Sequence, residues 1–82
     1  MEISKKISKL FIKSDFAIKN SIKKISSSDD LFELGMDSIS FVMFLVTLEN
    51  EFNITFDMEE LDFDKISTLD HIVEICEKKI KE

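Results

Sequence analysis

Ser38 is the residue of this chain best placed to do chemistry. It stands in Leu34-Gly35-Met36-Asp37-Ser38-Ile39, where a loop gives way to the longest apolar run, Ile39 to Leu48. Gly35 is the only glycine and there is no proline, so the one residue free to take φ > 0 comes three positions before Ser38 and lets the backbone turn. Asp37 and Ser38 are helix-starting types, and Glu49 to Phe52 extend the run behind them. A helix therefore begins here. Its free amides and the positive end of its dipole surround a hydroxyl on the first turn, a favourable place to attach a phosphate diester. The pattern predicts that Ser38 faces solvent.

Duller roles compete for the same residues. A serine ahead of an apolar helical run is ordinarily only a cap, but Asp37 can do the capping alone. A nucleophilic enzyme would need a base and a strained elbow; the chain lacks Gly-x-Ser-x-Gly and offers only His71 as a histidine base. His71 and Cys76 are one of each, without a paired base or ligand set, so neither supports nucleophilic catalysis or a zinc site. The aspartates from Asp57 to Asp64 have the wrong spacing for a calcium loop and lack its central glycine. The chain reads as neither an enzyme nor a metal protein.

With Leu31-Phe32-Glu33 before it and Glu49-Asn50-Glu51-Phe52 after it, the serine segment resembles the carrier protein family, the acyl, peptidyl and related carriers that bear 4′-phosphopantetheine. Ile54-Thr55-Phe56-Asp57 is similar to the stretch after the family's second helix, and Ser67-Thr68-Leu69 with Ile72 and Val73 to the start of its last. Residues 1–28 match only loosely. The resemblance implies an all-α, four-helix bundle with three longer helices, a short third helix and a long loop between helices 1 and 2. It implies a 4′-phosphopantetheine arm on Ser38, with Gly35 and Asp37 completing the cofactor site. Asp37 would help to hold Mg²⁺ while a phosphopantetheinyl transferase loads the arm. The arm would carry acyl, aminoacyl or peptidyl groups as thioesters from a loading enzyme to downstream synthases and transferases.

Composition agrees with such a role. Eighty-two residues make one small domain, 1–82, with a modest core and no deep cleft. Eight Phe with no Trp or Tyr suggest a core of aromatic rings without polar handles. The lone Cys76 can form no intramolecular disulfide, and the lysine-rich start has no hydrophobic signal region, so a cytoplasmic location is expected. Ile39 to Leu48 falls far short of the roughly 20 apolar residues that span a bilayer. The net charge of −6 divides unevenly: residues 1–28 hold seven Lys against two acids (+5), and residues 29–82 four Lys against fifteen acids (−11). An acidic half around Ser38 repels nucleic acid and favours basic enzyme surfaces.

The elements that must hold the serine follow from periodicity. Ile3, Ile7, Leu10 and Phe11 recur at helical spacing with lysines between them. The same spacing runs on through Phe16 and Ile18 to Ile22 and Ile25 without a breaker. The family pattern instead places the helix end near Phe16, followed by a loop whose Ile22, Ile25, Leu31 and Leu34 are pinned to the core. Residues 38–52 form the second helix. At about 100° per residue, Phe41, Phe44, Leu45, Leu48 and Phe52 share one side, and Ile39, Val42, Met43 and Val46 the other. A surface helix needs only one apolar stripe for its core. A central helix buried all round would also show two, but so short a chain cannot easily cover both sides. The aromatic stripe is therefore assigned to the core, and Ile39, Val42, Met43 and Val46 to a surface for partner enzymes, in an isolated domain expected to be a monomer. Fatty-acid carriers usually show more acid on this helix, so the stripe points instead to the discrete carriers of peptide or polyketide assembly. A cofactor-free adaptor using the same stripe is the other reading, with a housekeeping fatty-acid carrier beside it. Phe56 to Phe63 suits a short third helix with Asp57 as cap. Thr68 or Ser67 caps the last, with Leu69, Ile72, Val73, Cys76 and Ile80 as its inner face.

Overall fold

A computed structural model describes residues 3–57 and 67–81. Among these the chain is all-α, with helices α1 (Ile3–Ile12), α2 (Asp15–Lys19), α3 (Ser38–Phe52) and α4 (Leu69–Ile80) and no strand. α1 packs chiefly on α4 and also touches α2 and α3. Between them lies a core of Ile7, Phe11, Leu31, Phe41, Leu48, Leu69, Ile72 and Cys76, all fully buried. Aromatic rings lock it: Phe11 meets Phe44 edge to face at 5.5 Å, and Phe32 lies 5.0 Å from Phe41. The short third helix expected over 56–63 falls mainly outside the described residues.

The first helix is shorter than its periodicity allows. Ser14 adopts an extended backbone, its hydroxyl donates to Phe11 O at 2.6 Å, and its Oγ accepts from Ala17 N at 3.2 Å. One side chain thus closes α1 and caps α2. A serine that offers the backbone these local bonds breaks a helix that hydrophobic spacing alone would continue. The expected end near Phe16 is corrected to Ile12, and the long loop between the first two long helices holds the extra turn of α2.

That loop is then stapled to the start of α4. Leu31 N donates to Ser67 O at 2.8 Å, Asp70 N to Ser27 O at 2.9 Å, and Asp30 bridges Thr68. The Ser67 hydroxyl donates to Asp30 Oδ2 at 2.9 Å, while Asp30 Oδ1 accepts from Phe32 N and Glu33 N. Leu31 is buried completely, and Ile22 and Ile25 pack on the core, as expected. Leu34 is exposed instead, because the chain turns at Gly35 and sends Met36 inward in its place. Ile80, expected on the inner face of α4, is also exposed at the helix end. Thr68 supplies the α4 cap, accepting from His71 N.

Truncating Leu31 to Ala should cost about 2–5 kcal/mol in urea unfolding, since it empties a buried site at the staple. The Asp30 carboxyl is held below its ordinary value of 3.8, chiefly by the Ser67 hydroxyl, which outweighs the opposing effect of burial, with smaller help from the Glu33 and Phe32 amides. A carboxyl lowered on folding stabilises above its unfolded pKa and loses that contribution as pH falls through its folded one. Melting temperature should therefore drop as pH falls below about 4. Asp30→Asn should flatten that drop while lowering stability at neutral pH.

Candidate functional site

The loop staple delivers the chain to Gly35, which takes φ +104°. Gly35 N donates to Phe32 O at 3.1 Å and Met36 N to Leu31 O at 3.2 Å, so a tight turn hangs from the buried Leu31. A Cβ at Gly35 would meet nothing within 4 Å. Glycine is required here by the backbone conformation rather than by crowding. Met36 is nearly buried beyond the turn and anchors its far side.

Asp37 is the N-cap of α3, and Oδ1 accepts from Ser40 N at 2.7 Å. Its carboxyl is lowered first by that amide and then by the Ser40 hydroxyl, so it is ionised at neutral pH beside the positive end of the helix. Ser38 is the first residue of α3 and is exposed. Its Oγ has no hydrogen-bond partner among the described residues. Capping and presentation are thus divided between neighbours.

α3 itself separates its two apolar stripes. Phe41, Phe44, Leu45 and Leu48 are buried and Phe52 half-buried, whereas Ile39 is 72% exposed, Val42 40%, Met43 59% and Val46 45%. An all-round buried helix is ruled out. The helix ends at Asn53, in the left-handed region, and Glu49 Oε2 accepts from Phe56 N at 2.8 Å to direct the chain away. At the other border Lys6 pairs with Glu51 at 3.0 Å and lies over the Phe52 ring.

The remaining reactive types stand apart. Cys76 is buried in the core, where desolvation pushes its thiol up to about 11 and leaves it a small apolar residue. His71 is exposed at the start of α4. Among the described residues no three His, Cys, Asp or Glu are grouped to share a metal ion, and no helix is long and apolar enough to cross a membrane. Two contributors escaped the sequence reading. Asp30 could have been suspected from an aspartate directly before the buried Leu31-Phe32 pair, and Ser14 from Ser14-Asp15, a helix-starting pair like Asp37-Ser38.

The family model for the phosphopantetheine attachment site matches residues 17–76, which take in the turn at Gly35, all of α3 and most of α4. No curated protein and no solved structure matches the chain. Domains of this family carry covalently attached 4′-phosphopantetheine and work with phosphopantetheinyl transferases and acyl-handling enzymes. The residues present suit such a group: a solvent-facing hydroxyl, with no bond to another of the described residues, at a helix start that favours a phosphate. Over well more than half its length, and with a helix start of this form, the chain belongs to the phosphopantetheine-dependent carrier protein family.

Proposed function

We propose that this protein is a discrete, monomeric and cytoplasmic carrier, a single domain over 1–82. It would hold acyl or aminoacyl and peptidyl intermediates on an arm attached at Ser38 and present them to the enzymes of a polyketide- or peptide-type assembly. The observation that carries the reading is the free, exposed Ser38 hydroxyl at the first residue of α3, with the cap supplied by Asp37. Ser38 Oγ is the nucleophile that displaces adenosine 3′,5′-bisphosphate from coenzyme A. An oxygen–phosphorus bond forms, the diphosphate link breaks, and the hydroxyl proton passes to a base on the transferase. The arm, once attached, supplies a thiol that holds the cargo as an activated thioester.

The chain's own residues supply anchorage and address. Gly35 permits the turn that lifts Ser38 from the core, and Asp37 keeps an ionised carboxylate beside it, able to meet a Mg²⁺ ion brought by the transferase. Ile39, Val42, Met43 and Val46 form the docking stripe. Its apolar character favours a dedicated assembly line over a housekeeping fatty-acid role. Tethering raises the effective concentration of cargo at each docked enzyme, so the domain needs no catalytic groups.

Intact-mass measurement after incubation with coenzyme A, Mg²⁺ and a broad-specificity phosphopantetheinyl transferase should show a gain of one phosphopantetheine unit. Ser38→Ala should abolish that gain while leaving the melting temperature unchanged. Met43→Asp should slow modification about tenfold, equivalent to ~1.4 kcal/mol of docking energy. A folded wild type that stays unmodified with several transferases would favour the cofactor-free adaptor, for which only the stripe matters.

A further inference from the structure

After α2, Ser21 takes a left-handed backbone conformation and Ile22 N donates to Ala17 O at 2.8 Å. The loop that follows lies beside α1 and encloses with it an open recess of about 290 Å³. Ile12 and Ile25 form its apolar floor; both pack on the core and are half-buried. Its other lining residues are Ser8, Lys9, Lys13 and Lys23, and none is acidic. The three lysines are exposed and make no ion pair among the described residues. In a chain with 17 acids and a net charge of −6, this is a local reversal of sign. The Ser8 hydroxyl likewise has no hydrogen bond to another of the described residues.

We propose that this recess binds a short acidic segment of a partner protein, with one large apolar side chain seated on Ile12 and Ile25 and carboxylates meeting Lys9, Lys13 and Lys23. Three features argue for this occupant. Cations grouped without an opposing charge complement carboxylates. At ~30 Å³ for each water-sized unit the volume admits roughly ten heavy atoms, about one leucine or phenylalanine. An anionic bilayer is a broad plane that meets a chain of net charge −6, whereas a short segment meets only the basic part, +5 over residues 1–28. Ser8 adds a donor for a backbone carbonyl of the segment.

The recess is turned away from α3. At about 100° per residue, Ser8 and Ile12 stand on the opposite flank of α1 from Lys6, whose ammonium reaches Glu51 of α3 at 3.0 Å. A segment seated there leaves Ile39, Val42, Met43 and Val46 uncovered. The binding does not depend on Ser38. Its use rests on the carrier reading: the segment moors the domain to its assembly while successive enzymes take the α3 stripe at a raised effective concentration.

The test titrates the isotope-labelled full chain, unmodified at Ser38, with the acetylated and amidated peptide Glu-Asp-Phe-Glu-Asp-Glu, followed by nuclear magnetic resonance. The peptide should shift the signals of Ser8, Ile12 and Ile25. It should also give cross-relaxation between its phenylalanine ring and the Ile25 methyl groups, which the same peptide with alanine in place of phenylalanine should lose. Lys9→Gln combined with Lys23→Gln, both exposed changes, should weaken binding about tenfold, the sum expected of two exposed charge pairs. That variant should keep the melting temperature and the gain of one phosphopantetheine unit. Shifts spread alike over all lysines, no shift at the recess with millimolar peptide, or a response to phosphatidylglycerol vesicles and not to peptide overturns the inference. Each of these leaves the carrier reading intact, because loading at Ser38 is read separately by mass.

Discussion

The 2.7 Å bond from Ser40 N to Asp37 Oδ1 is the contact on which the site depends. A helix start leaves several amides without internal partners, and a side-chain oxygen just before the first turn ordinarily meets one of them. If Ser38 met that need, its hydroxyl would be turned inward and engaged. Because Asp37 meets it, Ser38 opens the helix with its hydroxyl outward. The arrangement in turn requires the backbone to arrive from the correct direction, which the turn at Gly35 provides and the burial of Leu31 and Met36 holds. The buried side chains fix the turn, the turn sets the cap, and the cap leaves the serine free.

Much of this was legible in the residues, and the reason is physical. α3 runs over the expected 38–52 because a capping aspartate and a left-handed Asn53 mark its ends and no helix breaker falls between them. Its two stripes separated as the 3.6-residue period requires. α4 likewise begins after Thr68, as its cap residue indicates. Less of the N-terminal third was readable. Hydrophobic spacing continues from Ile3 to Ile25, and periodicity cannot report that the Ser14 hydroxyl prefers Phe11 O and Ala17 N. Leu34 and Ile80 were misplaced for a related reason: each sits where a segment ends, so its direction depends on the turn beside it rather than on the period. The pairing of Asp30 with Ser67 spans 37 positions and leaves no local trace.

Charge adds a second layer to the site. The N-terminal 28 residues are basic and the rest strongly acidic, yet the exposed stripe of α3 carries no charge of its own. Asp37 stands directly before the serine in an acidic part of the chain, and long-range attraction to a basic enzyme can bring the surfaces together. On the reading proposed above, the uncharged stripe then leaves recognition to shape and apolar fit, which salt screens little. That reading assigns steering and fit to different residues.

A chain of 82 residues can enclose only so much apolar surface. On α3 it encloses the aromatic side and leaves Ile39, Val42, Met43 and Val46 in water, at a cost of about 25 cal/mol for each Å² left uncovered. Removing that cost by polar substitution would be simple, since none of the four contributes to the core. On the reading proposed above, they stand in one line on α3 so that a partner enzyme, once seated, covers the apolar surface this chain is too short to enclose.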